Sequence, residues 1–172
     1  MNKHTVIVII ASIVIAGTVG YSIWNVFAIN NIKIASAEKE NFSYFDLMSY
    51  EKITMCNSLP FFVNVDRFEI MMYYDNELKG TLTVKPTTIA AQSATIVDGE
   101  FRSELVADTQ YLFLHLDGEF SGTQPIRIDP AKMFVVTNVN SPIIGVIPYT
   151  ISHQYTGFDF YNMMKDRTDF TC

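Results

Sequence analysis

The chain has 172 residues, a formal net charge of −6, 49% hydrophobic residues and only 17% charged ones. That is too apolar for a disordered chain, and eight Gly with six Pro do not make a low-complexity linker. All 18 acidic residues follow Ala37, whereas Lys3 and Lys33 precede it, so the part from Glu38 onward is more acidic than the whole. Such a surface repels phosphate backbones, and no basic stripe interrupts it, which argues against nucleic acid as a partner.

The first element is apolar. Residues 5–29, TVIVIIASIVIAGTVGYSIWNVFAI, carry no formal charge. As a helix rising 1.5 Å per residue they would extend ~37 Å, enough to cross a hydrocarbon core of roughly 30 Å. Tyr21 and Trp24 lie toward the C-terminal end of this segment, where amphipathic rings prefer the membrane interface. Gly17 is not part of a GxxxG pair, so no helix-dimer face is implied. Lys3 on the leading flank, opposite an acidic remainder, places residues 1–4 in the cytoplasm and the rest of the chain outside. A cleaved signal peptide is the alternative, with Ala35-Ser36-Ala37 as its A-x-A site. The apolar run is longer than an ordinary signal core, and Lys33 separates it from that site, so an uncleaved anchor is the expectation.

Residues 30–41 read as a polar linker with a short strand at 32–35. Asn41-Phe42-Ser43 is an N-x-S glycosylation triplet just outside the membrane. A strand then follows from Tyr50 to Met55 and breaks at Asn57-Ser58-Leu59-Pro60, because Pro60 cannot donate to a ladder. Between Val65 and Tyr74 the residues Phe68, Ile70, Met72 and Tyr74 fall on one face, and Arg67, Glu69, Met71 and Tyr73 on the other. Period two predicts a half-buried strand. The turn Asp75-Asn76-Glu77 leads to a hairpin partner over 78–84, with Gly80 at a bulge.

Further strands are expected over 94–102, 111–116, 126–128, 133–139 and 144–155, the fourth and fifth separated at Ser141-Pro142. Pro148 demotes the centre of the final run to an edge or a bulge. No amphipathic helix is expected beyond the anchor. The fold class is therefore all-β: an antiparallel immunoglobulin or fibronectin III-like β-sandwich over residues 42–157, preceded by one transmembrane helix. Residues 158–172 form an aromatic and Met-rich tail. Phe158, Phe160, Tyr161, Met163 and Met164 either pack on the sandwich or present a partner surface, since aromatics and Met are enriched at such contacts.

Cys56 and Cys172 are the only cysteines. In an exported domain the pair suggests one disulfide tying the last residue to the first long strand; a buried free thiol plus a free terminal one is the alternative. No catalytic or metal signature emerges. Cys56 lacks the downstream His and Met of a copper site, and His115 and His153 are single residues in apolar runs. Met71-Met72 and Met163-Met164 would point to opposite faces of a strand. Ser152 and His153 are sequence neighbours, which is not triad geometry. Asp98 and Glu100 share a strand face that reads as solvated rather than as a cation site. No phosphate-cradling Gly loop and no cofactor motif is present.

A strand ending in Cys-Asn-x-x-Pro, an amphipathic strand ending Tyr-Tyr-Asp-Asn-Glu, a short Gly-containing strand and the run Thr88–Thr95 together resemble the late-embryogenesis-abundant type 2 (water-stress) domain over residues 45–102. The chain looks like small, membrane-anchored archaeal versions of that domain. It departs from the pattern in placing Pro60 three residues after Asn57. The resemblance implies a fibronectin III-like sandwich and a non-enzymatic binding or protective module, and it supplies no ligand. The function expected is thus a single-pass membrane protein that contacts lipid through residues 5–29 and presents an extracytoplasmic interaction or envelope-protective domain. An accessory subunit of a membrane enzyme complex, using anchor and tail as protein contacts, is the second reading.

Overall fold

The structure is a computed structural model that describes residues 2–37, 42–123, 128–143, 147–166 and 172, with backbone alone at 142 and 143. The uncharged run forms one helix, α1 (Lys3–Ile29). Two asparagines end it: the Asn30 and Asn31 amides donate to the carbonyls of Val26 and Phe27 at 3.0 and 2.7 Å, satisfying acceptors that have no intrahelical partner.

Among the described residues nine strands follow: β1 (Lys33–Ser36), β2 (Lys52–Asn57), β3 (Val63–Val65), β4 (Arg67–Tyr74), β5 (Glu77–Val84), β6 (Thr87–Ile89), β7 (Ser93–Arg102), β8 (Met133–Ile143) and β9 (Ile147–Thr156). Seven of them form an antiparallel sheet in the order β1-β2-β7-β5-β4-β8-β9, while β3 and β6 pair separately. Alternation decides which face is buried. Phe68, Ile70 and Met72 of β4 are in the core, as are Leu82 and Val84 of β5 and Met133, Val135 and Val139 of β8.

The β4–β5 connection is as expected. Asp75 and Asn76 both have left-handed backbone (φ 55° and 67°), the conformation a two-residue type I′ hairpin turn requires and one that Asp and Asn tolerate. Met72 pairs with Gly80 and Tyr73 with Leu78, so Lys79 is the extra residue of a bulge. The Phe101 ring lies over Gly80 where a Cβ would stand, so the bulge also makes room for an aromatic on β7. β9 carries Pro148 and forms the edge of the sheet.

The antiparallel sheet and the leading apolar helix match expectation, but the domain is not all strand. Among the described residues three α-helices follow α1: α2 (Tyr44–Tyr50), α3 (Val106–Phe120) and α4 (Gly157–Lys165). The strand expected at 111–116 lies inside α3, where Thr109, Leu112, Phe113 and Leu116 share one buried helical face. The segment 126–128 lies mostly outside the described residues, and β8 continues through Ser141 and Pro142 to Ile143 instead of ending at 139.

The helices build an aromatic core at one end of the sheet. Tyr44 is fully buried against Phe42, Phe113, Phe120, Phe160 and Tyr161, with ring centroids 5.2–6.5 Å apart. Its hydroxyl donates to the Gly157 carbonyl at 2.6 Å, and burial holds the phenol protonated well above its ordinary range. The disulfide Cys56–Cys172 ties β2 to the last residue, with Cα atoms 5.6 Å apart.

Candidate functional site

The feature that distinguishes this molecule is the joint between α1 and the sheet domain. From Thr5 to Val19 all side chains of α1 but the half-buried Val6 are exposed. Beyond that point Ser22, Asn25, Ala28 and Ile29 are buried, a stripe at helical spacing that faces β3 and β8.

Asn25, 4% exposed, is the centre of the joint. Its carbonyl accepts from the Asn64 backbone N–H at 3.1 Å, and its amide donates to the Asn64 carbonyl at 3.3 Å and to the Ser141 hydroxyl. Asn64 carries the link further: its side-chain amide donates to the Tyr21 hydroxyl at 2.5 Å, and its side-chain carbonyl accepts from Thr88 at 2.7 Å. Through Asn25 and its partner Asn64, the helix is thereby joined to β3, β6 and β8. Burying an amide without partners is costly, and here the partners are supplied by backbone groups of β3 that face away from its ladder with β6.

Two aromatic contacts flank this cluster. Trp24 meets Phe61 edge-on at 4.8 Å, and Tyr21 meets Phe62 at 5.9 Å. Phe61 and Phe62 belong to the loop opened by the Cys-Asn-x-x-Pro break, and Asn57 fixes that loop. The Asn57 amide donates to the Phe61 and Ala90 carbonyls at 2.7 and 3.0 Å, and its carbonyl accepts from the Leu59 N–H at 3.1 Å. The break between β2 and β3 thus serves to present two phenylalanines to α1.

Beside the joint lies a cleft of about 400 Å³ bordered by Ile29, Lys33, Phe68, Val139, His153 and Tyr155, among others. A wider, open groove of about 950 Å³ crosses the other face of β4, β5 and β7. Its charges are mostly spent on one another: Arg67 pairs with Glu69 at 2.5 Å, Lys79 with Glu77 at 2.6 Å and Arg102 with Glu100 at 2.8 Å.

The residues singled out in the sequence are distributed as follows. Cys56 and Cys172 are bonded to each other. Asn41 lies outside the described residues. Asp98 contacts Lys52 at 3.7 Å while Glu100 engages Arg102, so the two carboxylates have separate cationic partners. His115 sits on α3, its Nδ1 2.8 Å from the Tyr111 carbonyl, and His153 is exposed on β9. Among the described residues no group of three His, Cys, Asp or Glu is arranged to hold a metal ion. The tail corrects one reading: Phe160, Tyr161 and Met164 are buried in the chain's own core and Met163 is partly so, which leaves Phe158 as the exposed aromatic of that set. Packing wins because α4 turns those three side chains onto the aromatic core.

Asp117 was not anticipated. It accepts from the Ser43 hydroxyl at 2.9 Å and from the Tyr44 and Phe45 N–H groups at 2.8 and 3.0 Å, capping the start of α2 from α3. Burial raises its pKa against the lowering effect of those donors. The carboxylate is fully engaged in joining two helices, a structural role.

No protein-family model and no curated protein matches the chain. Among solved structures, a protein from Archaeoglobus fulgidus is similar over 73% of this chain and 94% of its own, at 9% identity and a TM-score of 0.33, a likeness too weak to carry an argument.

Proposed function

We propose that the chain is a single-pass membrane protein whose acidic, β-rich domain stands on the outer face of the membrane as a non-catalytic interaction or envelope-protective module. One observation carries this reading: from Thr5 to Val19 α1 exposes an uncharged, mostly apolar surface, and the same helix then enters the domain interior through Asn25, Ala28 and Ile29. A soluble protein has no use for such a surface; a bilayer does. The Cys56–Cys172 bond supports the outer side, because disulfides persist in oxidising compartments.

The resemblance to late-embryogenesis-abundant type 2 domains belongs to the same proposal. It is supported by the Asn57 break and by the β4–β5 hairpin with its Asp75-Asn76 turn. In a sandwich reading of the domain, the β3–β6 pair is the remnant of the second sheet. The test is topological. In sealed right-side-out vesicles, added protease should remove the domain while a tag on the N-terminal flank stays protected, and the protein should stay in the pellet after alkaline carbonate. Release by carbonate, or a protected domain beside a digested tag, would overturn the proposal.

A further inference from the structure

We propose that the domain touches the bilayer a second time, through the Phe61–Phe62 loop and Ile147, so that it is seated in the lipid surface instead of being held above it. This rests on the single-pass reading. Undocked apolar helix runs from Thr5 to Gly20, 16 residues, or ~24 Å at 1.5 Å per residue. A hydrocarbon core of roughly 30 Å needs ~6 Å more, or about four residues, which brings its boundary to Trp24. The stretch that completes the crossing is the one already packed against the domain. Whatever stands beside Tyr21 and Trp24 therefore stands at the lipid boundary.

What stands there is apolar. Phe61 contacts Trp24, and Phe62, 51% exposed, lies one helical turn closer to the membrane beside Tyr21. β8 runs the same way: Val139 borders the cleft with Ile29, Ser141 meets Asn25, and the strand then proceeds toward its hairpin with β9. Ile147, 55% exposed, stands two pairing steps past the level of Ser141. Lipid is the occupant that fits, because this surface is continuous with the lipid-facing side of α1 and carries the aromatic composition of an interfacial belt. The polar cluster of Asn25, Asn64, Thr88 and Ser141 then lies just above the boundary with its amides engaged.

The test uses the full chain in vesicles of phosphatidylcholine brominated near the top of the acyl chain. Trp24 is the only tryptophan, so its quenching reads the joint directly. In the Trp24→Phe background, Phe62→Trp should be quenched as strongly as Trp24 is in the wild type. Phe158→Trp, on α4 beside the far end of β8, should be quenched no more than in unbrominated lipid. Quenched Trp24 with unquenched Phe62→Trp refutes the second contact and leaves the anchor intact; an unquenched Trp24 refutes the anchor itself. If Trp24→Phe loosens the fold, Phe62→Trp is read with Trp24 in place. Both emitters quenched supports the contact, and one left unquenched refutes it.

Discussion

Replacing Asn25 by Ala removes the partner of two backbone groups on Asn64, its N–H and its C=O, and one from the Ser141 hydroxyl. A buried polar group left unsatisfied costs ~1–3 kcal/mol, so the two Asn64 groups alone set the loss at ~2–6 kcal/mol. That is a large share of the ~5–15 kcal/mol that stabilises a typical domain. Ile23→Ala is the control: Ile23 is 65% exposed on the same helix, and its truncation should change stability by no more than ~0.5 kcal/mol. Urea unfolding in detergent micelles, followed by Trp24 fluorescence, reads the joint because Trp24 rests on Phe61. Hydrogen exchange at the Asn64 amide supplies a second, local readout. Unfolding of Asn25→Ala at the wild-type urea concentration, with its Asn64 amide protected as before, would show that the domain is not held by this asparagine.

Three other perturbations separate the forces that hold the domain. Cys172→Ser opens a covalent link spanning 116 residues, for which chain entropy predicts a loss of ~4–5 kcal/mol in denaturant; reduced wild type should behave alike, and equal stability of the variant would exclude the bond. Asn57→Ala should cost at least ~3 kcal/mol in thermal or urea unfolding, because it leaves the Phe61 and Ala90 carbonyls and the Leu59 N–H without their partner; Asn57→Asp keeps the acceptor, loses both donors, and should recover only part. Asp117 has a folded pKa raised above its ordinary 3.8, so the folded state binds its proton more tightly and stability gains as pH falls through the raised value toward 3.8. Wild type should therefore gain on Asp117→Asn as pH is lowered from neutrality, and a gap that widens against wild type would reverse the sign of that argument.

The sheet was legible because period two survives where one face is buried and the other is wet. Residues 67–84 show this best: alternation, an Asp-Asn turn and one Gly account for strand, hairpin and bulge. The helices were missed for identifiable reasons. Tyr111–Leu116 is an unbroken run rich in residues with β-propensity, and Asp117-Gly118 looked like a stop. A longer window shows Thr109, Leu112, Phe113, Leu116 and Phe120 at helical spacing. Ser43-x-x-Asp46 and Thr156-x-x-Asp159 are capping signatures, and in both cases the hydroxyl accepts from the N–H three residues on. Read that way, they mark the starts of α2 and α4. Asn25 is the harder case. A polar residue in an apolar helix signals an internal contact, but its partner Asn64 lies 39 residues away and pairs through its backbone, which leaves no mark on side-chain chemistry.

If α1 and the sheet domain form one rigid body through the Asn25 joint, the distance between them is fixed, and measuring it tests the joint most directly. Nitroxides attached to single cysteines introduced at Ile13 on α1 and Leu78 at the β4–β5 hairpin, both exposed, should give one narrow distance distribution by pulsed electron resonance in lipid nanodiscs. Asn25→Ala should broaden it. A broad distribution in the otherwise wild-type chain, as from a domain swinging on a tether, would contradict the account.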